Sequence, residues 1–351
     1  MPIQLKVSDF ADLACSGSYV LLDMRSESEY NFSSIPGSLN IPILNDAHRH
    51  EVGLTYKQKG KKEAIRKGFE LAGPLFSSIL DKADKLCGQK PVLLYCWRGG
   101  LRSSISSWLL ETAGFNVSLL EGGYKAFRNF ALSQFSVKRK ILVLGGRTGS
   151  GKTELLKRMK NQGQFVIDLE NIANHRGSAF GALGKGPQPS NEYFENMLAM
   201  ELLRIPVNEP VWIENESRAI GKLKLPDDLY RQIRFAPLVE LNIDIVRRKQ
   251  NIMKEYGIFP VEELLTCTEK LAKRLGGLRL QNALSALAEN DLDAWLDIVL
   301  DYYDATYAFG STQRESTGIF SFSPEIDDTE SQIVEKLIKI ASRMDSQFQN
   351  V

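Results

Sequence analysis

The chain has 351 residues, 43% of them hydrophobic and 25% charged, with a net charge of +1; this is an ordinary globular composition, long enough for two domains. It excludes long disorder and a polybasic tail-type binder, while a basic face stays compatible with the neutral total. The four cysteines (Cys15, Cys87, Cys96, Cys267) and three histidines (His48, His50, His175) show no paired or zinc-type spacing, and no apolar run approaches ~18 residues, so a soluble, cytoplasmic protein with no membrane partner is expected.

In chain order, Tyr19–Asp23, Pro91–Cys96 and Val117–Leu120 are short apolar runs that read as buried strands. Ser103–Ala113 between the last two has helical spacing and stops at Gly114, the strand–helix–strand order of a mainly parallel sheet. Ala126–Ser136 reads as a helical connector, and Lys138, Arg139 and Lys140 lead into a second unit. There Ile141–Leu144 runs straight into a glycine-rich turn and a helix starting near Lys152, with further strands at Phe165–Leu169, Pro210–Glu214 and Val239–Ile243. From about Val246 onward the pattern is helical. The expected class is α/β: a parallel-sheet domain over residues 1–135, a P-loop NTPase-like domain over 136–245, and a helical region over 246–351 packed on it.

Gly146, Arg147, Thr148, Gly149, Ser150, Gly151, Lys152 and Thr153 match the G-x-x-x-x-G-K-[ST] loop in full. Glycines let backbone N–H groups curl around a phosphate, and the following helix N-terminus adds partial positive charge. Lys152 can reach terminal phosphates and Thr153 can hold Mg²⁺. Asp168, Glu214 and Glu216 are the acids placed for the metal or its waters, each equally readable as a plain strand-end acid. Guanine-reading Asn-Lys-x-Asp motifs are absent.

Cys96, Trp97, Arg98, Gly99, Gly100, Leu101, Arg102 and Ser103 also follow a strand and enter a helix. That geometry aims a helix N-terminus at the sulfur and favours a thiolate and any anion beside it. Gly99 and Gly100 permit the tight curl, and Arg102 is placed to supply a fixed positive charge. The other cysteines have no such setting and read as ordinary residues.

Residues from about 5 to 130 resemble rhodanese domains. Asp23–Ser26 is similar to that fold's acid-x-Arg strand end, which makes Asp23 and Arg25 support residues. Glu29-Tyr30 with Ile35–Pro42, and Gly114-Phe115 through Leu120–Tyr124, look like two more of its motifs. Five residues separate Cys96 from Arg102, one more than the usual sulfurtransferase loop and matching the C-x5-R loop of phosphatases, including those of rhodanese fold. A phosphatase is therefore a rival on this loop alone, but Tyr95 stands where most tyrosine phosphatases have histidine, and a phosphatase gives no reason for a P-loop.

A rhodanese-like unit followed by a P-loop unit resembles the tRNA 2-selenouridine synthase family over nearly the whole chain. The resemblance is carried by Tyr95–Ser103, Gly145–Thr153, Asp168–Glu170, His175–Ser178, Pro187–Ser190 and Glu214–Arg218. It implies a selenotransferase and geranyltransferase acting on tRNA that carries a wobble 2-thiouridine. Geranyl diphosphate alkylates the sulfur, and selenophosphate then replaces the geranylthio group with selenium. No tightly bound cofactor beyond Mg²⁺ is implied, and an enzyme supplying selenophosphate is a candidate partner. Cys96 would handle the selenium donor and the P-loop the prenyl diphosphate; His175, Arg176, Ser178 and Arg218, with Arg98 and Arg147, would meet substrate or tRNA. Rival classes are an ATP-dependent sulfurtransferase with another substrate and a non-catalytic tRNA-binding scaffold.

Overall fold

The computed structural model describes residues 2–312 and 318–348. Its first compact unit comprises residues 1–136 together with 190–204, and its second comprises 137–189 with 205–351.

The first unit opens with β1 (Ile3–Leu5), α1 (Val7–Ser16), β2 (Val20–Asp23), α2 (Glu27–Phe32) and β3 (Leu39–Asn40). A run of helices follows, α3 (Asp46–Lys59), α4 (Lys61–Ala72) and α5 (Phe76–Cys87), then β4 (Val92–Tyr95), α6 (Leu101–Thr112), β5 (Val117–Leu120) and α7 (Gly123–Ser133). The strands form one sheet in the order β1-β5-β4-β2-β3, all parallel. Every residue of β4 and β5 is buried, as expected for a parallel sheet covered on both faces. Leu22, Leu94, Ile79, Leu110 and Leu119 lie in its core.

The second unit begins with β6 (Ile141–Gly146), α8 (Lys152–Asn161), β7 (Phe165–Ile167) and α9 (Leu169–Ile172). The chain then rejoins the first unit as α10 (Asn191–Leu203), which packs on α1 and α7. The sequence reading leaves this helix inside 136–245, but its residues face the first unit's core. Asn196, fully buried, donates to Ser33 Oγ, the Ser34 carbonyl and the Tyr124 hydroxyl at 2.9–3.1 Å, and accepts from Arg128. The segment has almost no amphipathic period, so its sequence does not say which unit it packs on.

The second unit resumes with β8 (Val211–Glu214), a small hairpin of β9 (Ala219–Ile220) and β10 (Leu223–Lys224), α11 (Asp227–Phe235), β11 (Leu238–Leu241) and α12 (Ile245–Tyr256). Next come α13 (Val261–Glu269), α14 (Ala272–Leu275), α15 (Gly277–Ala288), α16 (Leu292–Thr312), β12 (Ile319–Phe322) and α17 (Glu330–Phe348). The main sheet runs β12-β11-β6-β8-β7, again all parallel. Here the expectation of a purely helical tail from residue 246 is corrected. β12 is an edge strand, largely exposed, and too short to show a period. α17 buries Ile333, Val334 and Leu337 against Leu142, Leu144 and Trp212 of the central strands. Only α12–α16 form a separate helical core, and Phe180 and Leu183 from the glycine-rich loop join it.

Candidate functional sites

In the first unit Cys96 sits at the C-terminal end of β4, 2% exposed, with Sγ 3.1 Å from Ser103 Oγ. Ser103 Oγ donates to the Gly100 carbonyl; by rotating, the same hydroxyl can donate to a thiolate. Gly100 caps α6 without any side-chain hydrogen bond to the first turn, so that turn's orphan N–H groups lie beside the sulfur. The loop is fastened from its far side, where the N–H groups of Tyr124 and Lys125 donate to the carbonyls of Cys96 and Trp97 at 2.8 and 3.0 Å. Gly123 makes this closeness achievable: a Cβ there would lie 2.4 Å from the Cys96 carbonyl oxygen and 2.6 Å from the Gly99 nitrogen.

Arg25 lies fully buried against the loop. It pairs with Asp23 at 2.7 Å, donates to the Ser33 carbonyl, and stacks 4.0 Å from the Tyr124 ring centroid with Trp97 beyond. Both Asp23 carboxylate oxygens accept from Arg25, whose Nε and one terminal nitrogen donate, the kind of pairing under which a buried ion pair is tolerated. Arg102 departs from its expected role as the loop's bare cation. Its guanidinium pairs with Glu29 at 2.7 Å; burial would raise the Glu29 carboxyl, but Arg102 holds it below its ordinary value. Glu29 also closes the capping box of α2 and meets Arg49, so Arg102 is an oriented partner of an anion rather than a free charge. Arg98, Gly99, Gly100 and Leu101 are exposed, leaving the loop's outer face open.

In the second unit the P-loop leaves β6 and enters α8, whose cap, Gly151, likewise offers no side-chain hydrogen bond. Lys152 Nζ donates to the Gly146 carbonyl at 3.0 Å and lies 3.7 Å from Glu214 Oε1. Arg147 is exposed and reaches Asp304 at 3.4 Å; Ser150 is buried. α12 clamps the loop: Arg248 Nε donates to the Thr148 carbonyl at 2.8 Å, and Asn251 Nδ2 to that of Gly149 at 2.9 Å. Arg248, 3% exposed, is fixed in turn by two bonds to Asp304. Sequence reading missed these residues, because Arg248 and Asn251 carry no motif and lie about a hundred positions from the loop.

Beside Lys152 stands a carboxylate trio. Ligand atoms of Glu170, Glu214 and Glu216 lie within 4.8 Å of one another, and Thr153 Oγ1 donates to Glu170 Oε2 at 3.2 Å. Burial, then the neighbouring carboxylates, push Glu170 up to about 9 and Glu216 up to about 8; Glu214 is raised too, by burial. Glu214 Oε2 is buried without a hydrogen-bond partner, a donor set that fits a hard cation with oxygen ligands. Of the expected acids, Glu214 and Glu216 join this group. Asp168 instead caps α9, its Oδ1 accepting from Asn171 at 2.9 Å, and Glu170 takes the place beside Thr153. Glu170, three residues past the end of β7, belongs to a segment shared with the family, but the sequence reading does not single it out as an acid for the metal.

The loop after α9 is anchored rather than loose. Arg176 pairs with Glu255 at 2.6 Å, donates to the Leu183 carbonyl and stacks on Tyr256. His175 Nδ1 accepts from the Gly177 N–H, and burial lowers its pKa. Ser178 Oγ accepts from the Phe180 N–H. Arg218, with its side chain half exposed, pairs with Asp227. Arg176 and Ser178 thus share Tyr256 as a neighbour, while Arg218 is held by a separate acid.

Residues 139–335 match the family described as the tRNA 2-selenouridine synthase AAA domain, and residues 6–130 match the rhodanese-like domain. The chain belongs to the tRNA 2-selenouridine synthase family. A tRNA 2-selenouridine synthase of Nitrosomonas europaea is 36% identical over 346 residues, covering 84% of this chain and 89% of the relative. One from Pseudomonas fluorescens is 38% identical over 333 residues, covering 85% and 89%. The Cys96 loop lies within the residues matched as rhodanese-like, and the P-loop within those matched as the AAA domain. Among the described residues no helix is long and apolar enough to cross a membrane.

Proposed function

We propose that the chain makes 2-selenouridine at the tRNA wobble position in two steps, geranylation of 2-thiouridine followed by selenation. The observation that carries this reading is the presence, in one chain, of two anion loops with opposite surroundings. The Cys96 loop offers a sulfur, a serine hydroxyl and uncapped N–H groups; the P-loop offers uncapped N–H groups, Lys152 and a carboxylate trio.

In the first step the P-loop N–H groups and Lys152 hold the diphosphate of geranyl diphosphate while the 2-thio sulfur attacks the allylic carbon. A C–S bond forms, the C–O bond breaks, and diphosphate leaves. Thr153, Glu170, Glu214 and Glu216 would hold Mg²⁺, which supplies positive charge to the leaving oxygens. In the second step the Cys96 loop holds selenophosphate by its N–H groups. Selenium bonds to C2 of the base, the C2–S bond breaks, geranylthiol departs with a proton, and water accepts the phosphoryl group. Alkylation matters because it turns a poor sulfur leaving group into a good one. Arg98, Arg147, Arg218 and Lys138–Lys140 supply cations for tRNA phosphates, and a selenophosphate-producing enzyme in the same cytoplasm is the natural supplier.

The test is mass spectrometry of wobble nucleosides after incubating the protein with 2-thiouridine tRNA, geranyl diphosphate and selenophosphate. Sequential appearance of geranylthio- and selenouridine is expected. Tight ATP binding with hydrolysis, undisplaced by geranyl diphosphate, would refute the P-loop assignment and favour an ATP-driven sulfurtransferase.

A further inference from the structure

The first unit contains a cavity of about 260 Å³ enclosed by α3, α4, the start of α6 and the segment after β3. Its walls are apolar, with Ile43, Val52, Ile65, Phe69, Leu101 and Ile105 among them. α3 has 14 residues, and none of them is buried. A helix that packs with no buried residue leaves apolar surface partly uncovered, and here Tyr56, Phe69 and Leu101 are 59%, 50% and 54% exposed. Two wall residues, Leu101 and Arg102, are also the last residues of the Cys96 loop before Ser103. The cavity therefore abuts the site where the selenium donor is to be held.

Resting on the two-step reading, we infer that this cavity holds the hydrocarbon chain of the geranylthio group on the tRNA during selenation. Three features select that occupant. The volume lies just below the roughly 300–1,000 Å³ of ordinary small-molecule sites, the scale of a short branched chain and too small for a nucleoside with it. The walls offer almost no hydrogen-bonding partners, so a polar ligand would lose its hydration uncompensated. Lys61 brings positive charge to an otherwise apolar lining, Arg102 being matched by Glu29; that charge suits a chain attached to a polyanion and is of no use to a neutral lipid. Seating the chain there fixes the C2–S bond beside the loop, and it confines the departing thiol away from water.

Gly68 lines the cavity from the middle of α4, and a Cβ built there meets nothing within 4 Å. Gly68→Leu thus puts a side chain into the space the geranyl chain needs while improving the helix's intrinsic propensity. Using the full-length protein, the affinity for an anticodon stem-loop carrying S-geranyl-2-thiouridine is compared with that for its S-methyl counterpart. Wild type should prefer the geranyl RNA by about tenfold or more, since most of a ten-carbon chain is buried. Gly68→Leu should reduce that ratio to near one with S-methyl binding unchanged, and Phe69→Ala should reduce it partly; in turnover, geranyl-tRNA should accumulate in both. A preserved geranyl preference in folded Gly68→Leu and Phe69→Ala overturns the assignment. So does loss of geranyl diphosphate binding in Gly68→Leu with the RNA ratio intact, which would give the cavity to the donor instead. If wild type itself neither forms geranyl-tRNA nor distinguishes the two RNAs, it is the two-step reading that fails.

Discussion

Gly123→Ala is the most economical test of how the cysteine loop is held. Gly123 has φ +61°, and a Cβ there would lie 2.4 Å from the Cys96 carbonyl oxygen, 2.6 Å from the Gly99 nitrogen and 2.9 Å from the Arg98 nitrogen. All three are backbone atoms, so no side chain can swing aside. Ordinary contact requires the loop to retreat by about 1 Å, enough to displace Sγ from Ser103 and to strain the bond from the Tyr124 N–H. Left-handed backbone in alanine costs roughly 1–2 kcal/mol and overpacking about 1–3 kcal/mol, together ~2–5 kcal/mol. Against a typical stability of roughly 5–15 kcal/mol the variant stays folded at 25 °C, with a melting temperature lower by about 5–15 °C. The assay is wobble-nucleoside mass spectrometry alongside circular dichroism. Selenation should fall by about tenfold or more, because a 1 Å misplacement can cost up to about a hundredfold, while geranylation largely survives. Wild-type selenation by a folded Gly123→Ala protein would refute the idea that Gly123 positions the sulfur.

Cys96→Ser should abolish selenium incorporation while geranyl-tRNA still forms, and equal loss of both products in a folded protein would contradict the division of labour. Lys152→Ala should remove geranylation and hence both products; because it also strips the cation from buried Glu214, its melting temperature must be read beside its activity. Glu170 and Glu216 are raised from 4.5 to about 9 and about 8, so the folded state binds their protons more tightly than the unfolded chain does. Their contribution to the stability of the metal-free protein is then fully present below about pH 4.5 and is lost as pH rises towards 8–9. Melts across that window should show the decline, Glu170→Gln should flatten it and Mg²⁺ should offset it at the alkaline end; a flat wild-type profile would count against the coupling. Asn196→Ala removes donors to three first-unit groups and the acceptor of Arg128, and should cost about 2–3 kcal/mol by denaturant titration.

Both loops were legible in the sequence because each is local, with strand, glycines and helix start contiguous within a dozen residues. Their supports were not. Arg248 and Asn251 reach the P-loop from α12, and Glu29 reaches Arg102 across 73 positions; contacts of that range leave no period or spacing to read. α10 shows the same limit at the scale of a helix, since residues 191–203 carry almost no amphipathic pattern and nothing local in them says which unit they pack on. β12 was lost for a different reason, as a four-residue edge strand between long helices offers too few positions for alternation to register.

The two sites start from one solution and then diverge. Each puts a glycine-capped helix at the carboxyl end of a buried parallel strand, where uncapped N–H groups can receive an anion. Behind the cysteine loop the chain places Arg25, fully paired, and matches Arg102 with Glu29, so the local charges already balance and an arriving anion is held by N–H dipoles. Behind the P-loop it places three carboxyl groups against one lysine, and burial with mutual repulsion keeps the protons on Glu170 and Glu216 at neutral pH. A divalent cation arriving with the anion would displace those protons and pair with the carboxylates. Removing divalent metal should therefore stop geranylation of 2-thiouridine tRNA while leaving the binding of selenophosphate at the cysteine loop intact.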